Sequence, residues 1–166
     1  GIAVVHESHV IGSLAFAADG TLLVSTGDGA SYYLMDAGSD SDTYWDQAIT
    51  DGIIRPAENV GAFRSQILNC HNGKLLRIDP NTGNGVSSNP FYSAAQPRAA
   101  KSRVWAMGFR NPFRILIRPG TGSPNPAAGD IGEVYAGDVG WSTWEEFSII
   151  TGPGMNCGWP VYEGHE

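Results

Sequence analysis

A chain of 166 residues is long enough to bury a core, and its net charge of -7 sets it against a nucleic-acid partner, whose phosphates demand a basic surface. With 22 glycines, 10 prolines and few lysines or glutamates, it lacks the 3.6-residue apolar periodicity of a helical bundle. No apolar run approaches the roughly 20 residues that a bilayer span requires.

What remains is the signature of an all-β chain: short aliphatic runs separated by Gly, Asp, Asn and Pro. The chain opens on Gly1-Ile2-Ala3 without a Met or a leader pattern, and is expected to be an excerpt of a longer protein. His9 stands just before a glycine and the first strand, at residues 14–16. A second strand at residues 22–25 follows the tight Ala18-Asp19-Gly20 connection, Asp-Gly between apolar runs being a strong hairpin signal. That strand ends in Thr26-Gly27-Asp28-Gly29. The layout recurs downstream, where strands at residues 114–118 and 133–136 lead into Gly137-Asp138-Val139-Gly140. A repeated strand pair closing on a Gly-Asp loop is what the blades of a β-propeller produce.

Between the repeats, residues 30–68 form an insertion rich in Asp, Gly and Ser, with a short helix expected over residues 59–68. Asp36, Asp40, Asp42 and Asp46 offer hard oxygen ligands, but their spacing is not that of an EF-hand, and a solvated acidic loop is the expectation. Residues 72–80 read as a strand closed by Asp-Pro. Residues 81–85 are turn material, and the stretch on to Lys101 reads as surface connection. Another strand starts at Trp144-Glu145-Glu146-Phe147. Cys70 and Cys157 match neither a zinc spacing nor a disulfide-rich scaffold, so two free, semi-buried thiols are expected over a single bridge. No linker divides the chain, so residues 1–166 read as one domain carrying the insertion.

Few residues stand out chemically. His9 has the side chain whose ordinary pKa suits a general base near neutrality, whereas His6, His71 and His165 have nothing around them to suggest more than a structural place. Arg110-Asn111 precedes a strand. A guanidinium fork there suits a carboxylate ligand, or alternatively pairs with an internal acid such as Glu145 or Asp138. Glu145 and Glu146 are adjacent and point to opposite faces of a strand, which disqualifies them as an acid/base pair. The carbonyls of the turn at residues 138–141 are suitable oxygen donors for Ca2+.

Taken in order, several motifs resemble the glucose/sorbosone dehydrogenase family of soluble quinoprotein sugar dehydrogenases and their aldose-dehydrogenase relatives. They are His9-x-x-Gly12-x-Leu14-Ala15-Phe16, Ser25-Thr26-Gly27-Asp28-Gly29, and Gly73-Lys74-Leu75-Leu76-Arg77-Ile78-Asp79-Pro80. Asn89-Pro90-Phe91 and Gly108-Phe109-Arg110-Asn111-Pro112-Phe113 follow, then Gly137-Asp138-Val139-Gly140 with Trp144-Glu145-Glu146, and Asn156-Cys157-Gly158-Trp159-Pro160. The resemblance implies a six-bladed β-propeller, of which this chain would be a partial ring of about half. It implies pyrroloquinoline quinone (PQQ) over a Ca2+ ion as cofactors, a small-molecule sugar as substrate, and a periplasmic or extracellular setting. By motif, His9 matches the base, and Arg110 and Asn111 match residues that hold the quinone. Gly140 and Trp141 match the turn that binds the catalytic Ca2+, while Glu146 and the Cys157 carbonyl resemble a second, structural Ca2+ site. Two departures stand out: the loop after the base is Val10-Ile11-Gly12, bulkier than the family's, and Cys157 replaces the usual aromatic. A partial ring has open faces, to be covered by the remaining blades of a longer chain or by a homodimer partner. A propeller that binds carbohydrate or protein without catalysis is the alternative.

Overall fold

The structure, a computed structural model, describes residues 1–164, so His165 lies outside the described residues. Strands β1 (Ile11–Phe16), β2 (Leu22–Thr26), β3 (Lys74–Ile78) and β4 (Val104–Met107) form an antiparallel sheet in chain order. Strands β5 (Pro112–Ile117), β6 (Val134–Asp138) and β7 (Glu146–Ile150) form a second, three-stranded one. The Asp-Gly signal did its expected work: Phe16 pairs with Leu22 across a turn whose Gly20 has φ 78°, a left-handed conformation that glycine adopts without steric cost. The anticipated repeat is real, since β1–β2 and β5–β6 are both antiparallel pairs ending in a Gly-Asp or Asp-containing loop.

Strand β4 was not foreseen. It is only four residues long, follows a connection of turns, and is buried at every position, so it carries no alternation to betray it. The helix expected over residues 59–68 is instead two 3-10 turns, Pro56–Glu58 and Gly61–Gln66, and short helices α1 (Trp45–Thr50) and α2 (Ala100–Arg103) arise elsewhere. Gly61 has φ 51°, and a Cβ there would meet Asp36 at 2.1 Å, so the segment cannot continue as a regular helix. Asp36 itself corrects the acidic-loop expectation. It is buried, with its carboxylate accepting the N–H groups of Gly38 and Ser31, whereas Asp42 and Asp46 are exposed as expected.

The main core lies between the two sheets. Leu23, Leu75, Trp105, Ala106 and Phe109 pack from the first side against Val134, Ala136 and Ile150 from the second. Each large apolar side chain buried there contributes roughly 1.5–3 kcal/mol. The inner strands β1 and β5 approach closely, because a Cβ on Gly12 would stand 2.1 Å from the Pro112 carbonyl oxygen. The Ser25 hydroxyl donates to that same carbonyl at 2.7 Å. This junction sets the two blades side by side and brings the start of β1, the end of β2, the start of β5 and the end of β6 to one mouth. Outward, Leu14 and Phe16 on β1, Leu116 on β5 and Phe147 and Ile149 on β7 remain exposed. Both cysteines are free, Cys70 buried and Cys157 half-buried, as expected.

Candidate functional site

His9 is held in an unusual way. Its φ is 54°, a left-handed conformation rare outside glycine and frequent at functional sites. The loop is clamped against the end of β2: Gly27 N donates to Val10 O at 2.6 Å and Gly29 N to His9 O at 3.1 Å. Only a glycine fits at position 27, where a Cβ would sit 2.3 Å from the His9 carbonyl oxygen. The imidazole is buried, and its Nδ1 lies 2.9 Å from Asp28 Oδ1. A carboxylate only accepts, so Nδ1 carries the proton and Nε2 keeps its lone pair. Among the described residues Nε2 has no protein partner, and it is not sealed from solvent.

Asp28 is fully buried and saturated with donors. Oδ1 also takes the Ala30 N–H at 2.9 Å, and Oδ2 takes the indole N–H of Trp159 at 2.7 Å. The face of Trp159 in turn lies 5.5 Å from the Arg110 guanidinium carbon, a cation–π contact. Asp28 N donates to Arg110 O at 2.8 Å, so the His9 loop and the Arg110 loop share one scaffold. Sequence reasoning gave Asp28 and Trp159 no role, although both stand in the quoted motifs. An Asp flanked by glycines two residues past a strand was the available signal.

Among the described residues Arg110 forms no side-chain ion pair. Its Nη1 donates to the carbonyls of Val139 at 2.9 Å and Gly140 at 3.0 Å, while its main-chain N–H, with that of Asn111, goes to the Asp138 carboxylate. The internal-acid alternative is thereby met only through the backbone. Burial pushes the Asp138 carboxyl up to about 7, against the opposing pull of those two N–H groups. Desolvation lowers the pKa of Arg110, opposed by Asp28 and Asp138. Its Nε and Nη2 are unused by the described residues and not sealed from solvent, which leaves one edge of the fork open to a carboxylate. The Asn111 side chain is half-buried and likewise uncommitted among the described residues.

The other expected residues gather beside this group. Gly140 N donates to Glu145, Trp141 N to Glu163, and the Trp141 indole to Tyr32 O at 3.2 Å. The crevice where Arg110, Trp141 and Trp159 meet Ser31, Leu34 and Met35 has no room for a water molecule, so the insertion seals that side. Glu146 pairs in register with Asp138 and accepts the Gly164 N–H at 2.8 Å. Cys157 N donates to Met107 O, and burial pushes its thiol up to about 11. No three His, Cys, Asp or Glu side chains converge to hold a metal among the described residues. The carbonyls of Val139 and Gly140 do converge on a positive charge, that of Arg110.

Two antiparallel blades sharing an inner junction make part of a β-propeller, with a carboxylate-oriented histidine and a backbone-anchored guanidinium at one mouth. The model of the Glucose / Sorbosone dehydrogenase family matches residues 3–166, and the chain belongs to that family. It is 30% identical over 168 residues to the HIPL2 protein of Arabidopsis thaliana, covering 92% of this chain and 18% of that protein. Its structure resembles the PQQ-bound aldose sugar dehydrogenase of Streptomyces coelicolor, with TM-score 0.62, 25% identity, and coverage of 99% of this chain and 34% of that one. The apo form of the soluble aldose sugar dehydrogenase of Escherichia coli shares the fold, with TM-score 0.60, 20% identity, and coverage of 95% and 32%. The chain thus spans about a fifth of the curated relative and about a third of the solved enzymes.

Proposed function

We propose that this chain carries part of the active site of a PQQ- and calcium-dependent aldose dehydrogenase, with His9 as general base. The observation that supports it best is the His9–Asp28 pair, 2.9 Å apart, which engages Nδ1 and leaves Nε2 without a protein partner among the described residues, at the same mouth as the open edge of Arg110. In this reading His9 Nε2 accepts the proton of the sugar C1 hydroxyl. Asp28 steadies the imidazolium so formed, and the buried pair keeps the ring in one orientation. Arg110 and Asn111 hold the quinone, Arg110 by pairing its free edge with a quinone carboxylate. Gly140 and Trp141 supply main-chain oxygen to the catalytic Ca2+, and Glu146 with the Cys157 carbonyl to a structural one. The quinone, when bound, supplies the acceptor for the C1 hydride.

The residues would fit the quinone through Arg110, and would fit calcium through main-chain oxygen at Gly140 and Trp141 and the carboxylate of Glu146. Among the described residues no helix is long and apolar enough to cross a membrane, and a periplasmic or extracellular setting belongs to the same reading. The alternative is a propeller that binds carbohydrate or protein without turnover, favoured by the closed crevice beside Arg110. The test is dye reduction by the intact protein given PQQ, Ca2+ and an aldose. His9→Ala is expected to abolish turnover, a loss of roughly 100-fold or more, while PQQ remains bound. Absence of both dye reduction and a quinone absorbance change in the wild type supports the binding module instead.

A further inference from the structure

Arg64 sits in the insertion, outside the motifs quoted above, yet it is almost fully buried, with 2% of its surface exposed. Its fork is used entirely on main-chain carbonyls: Nε on Asp28 at 2.9 Å, Nη2 on Gly29 at 2.8 Å and Nη1 on Glu58 at 3.3 Å. No carboxylate lies within ion-pair distance of it among the described residues. The backbone of Arg64 is pinned by a second buried cation, because Lys74 Nζ donates to the carbonyls of Arg64 at 2.9 Å, Ser65 at 2.8 Å and Asn72 at 2.6 Å. Taking two cations out of water is unfavourable unless their donors are satisfied, and here the carbonyls alone do it. The carbonyls chosen by Arg64 include the two that bracket the functional turn. The same turn reaches His9 from its other side through Gly29 N–H and the Asp28 carboxylate.

We propose that Arg64 is a positioning residue for the His9–Asp28 pair: clamping the carbonyls of residues 28 and 29 fixes the turn from which Asp28 reaches His9 Nδ1. This rests on the reading of His9 as the base. Loss of the clamp lets the turn rotate, and the imidazole then samples both tautomers. Arg64→Lys keeps the charge but replaces a planar fork, whose Nε and Nη2 reach the Asp28 and Gly29 carbonyls from two separate nitrogens, by one nitrogen on a shorter stem, so the reach and directions of the clamp are lost.

The test uses the intact protein with 15N-labelled histidine, observing the imidazole nitrogens of His9 without cofactor or sugar and assigning them by comparison with His9→Gln. The wild type is expected to show a protonated Nδ1 and a bare Nε2. Arg64→Lys is expected to give an averaged pattern and a kcat reduced roughly 10- to 100-fold, with KM for the aldose nearly unchanged. A His9 pattern unchanged in Arg64→Lys overturns the proposal, whatever the activity does. Should the His9 pattern change in Arg64→Lys while His9→Gln retains full turnover, the clamp stands and the base reading falls. A measurement on the wild type guards against a variant that does not fold: a through-hydrogen-bond coupling from Arg64 Nε–H to the Asp28 carbonyl is expected, and its absence overturns the clamp.

Discussion

Replacing Asp138 by Asn tests how the mouth of the two blades is held. The Asp138 carboxylate accepts the N–H of Arg110 at 2.9 Å and the N–H of Asn111, and so fixes the loop that carries both. Burial raises its pKa from 3.8 to about 7, with the charges of Glu146 and Asp28 adding to the rise. The folded state therefore holds this proton more tightly than the unfolded chain does. Stability falls as pH climbs from about 4 to about 7, and the loss is complete above the folded value. At roughly 1.4 kcal/mol per pH decade, the full loss is about 4 kcal/mol. Asn does not titrate, but its amide has one acceptor oxygen, so one of the two N–H groups is left without a partner, costing about 1–3 kcal/mol at every pH. The variant is thus expected to be less stable than the wild type at pH 4.5 and more stable at pH 8, with the two curves crossing between. Urea or thermal midpoints of both proteins across that range measure it. A stability difference that stays flat with pH, or moves the other way, refutes the reasoning.

Three further outcomes are expected. Asp28→Asn removes the acceptor that orients His9 and also serves Trp159 and Ala30, so kcat should fall at least about 100-fold, and a steady-state value within threefold of wild type contradicts the pair's role. Gly27→Ala forces a methyl against the His9 main chain, at 2.3 to 2.7 Å, and should lower stability by about 1–3 kcal/mol together with activity; calorimetry showing an unchanged melting point refutes the close approach. Residues 1–166 expressed alone should self-associate through Leu14, Phe16, Phe147 and Ile149, and Phe147→Lys with Ile149→Glu should reduce it. Sedimentation of the unmodified chain as a monomer would refute a sticking role for these exposed apolar faces.

The hairpins β1–β2 and β5–β6 were legible because local chemistry specifies them: Asp-Gly needs a turn, and aliphatic runs beside it need a sheet. Arg110 and Gly140 were legible as residues beside strand ends by the same reasoning, and the packed sheets bring both to one mouth with His9. Strand β4 escaped because a short strand buried on both faces has no period. The Gly61–Gln66 turn escaped because a glycine is forced beside Asp36 by a contact 25 residues away in the chain (61 less 36).

By itself, then, the sequence determined the strands other than β4, the tight turns between them and the family to which their order belongs. Only the tertiary structure decided that Asp28 orients His9 across 19 residues, and that Trp159 reaches the same carboxylate across 131. It also decided that the Arg110 fork closes on the carbonyls of Val139 and Gly140 rather than on an acid, and that Arg64 of the insertion grips the turn beneath. The reason is physical. A turn or a strand is encoded by neighbours a few residues apart, whereas a buried donor finds its acceptor only after the sheets have packed and excluded the water that would otherwise serve it.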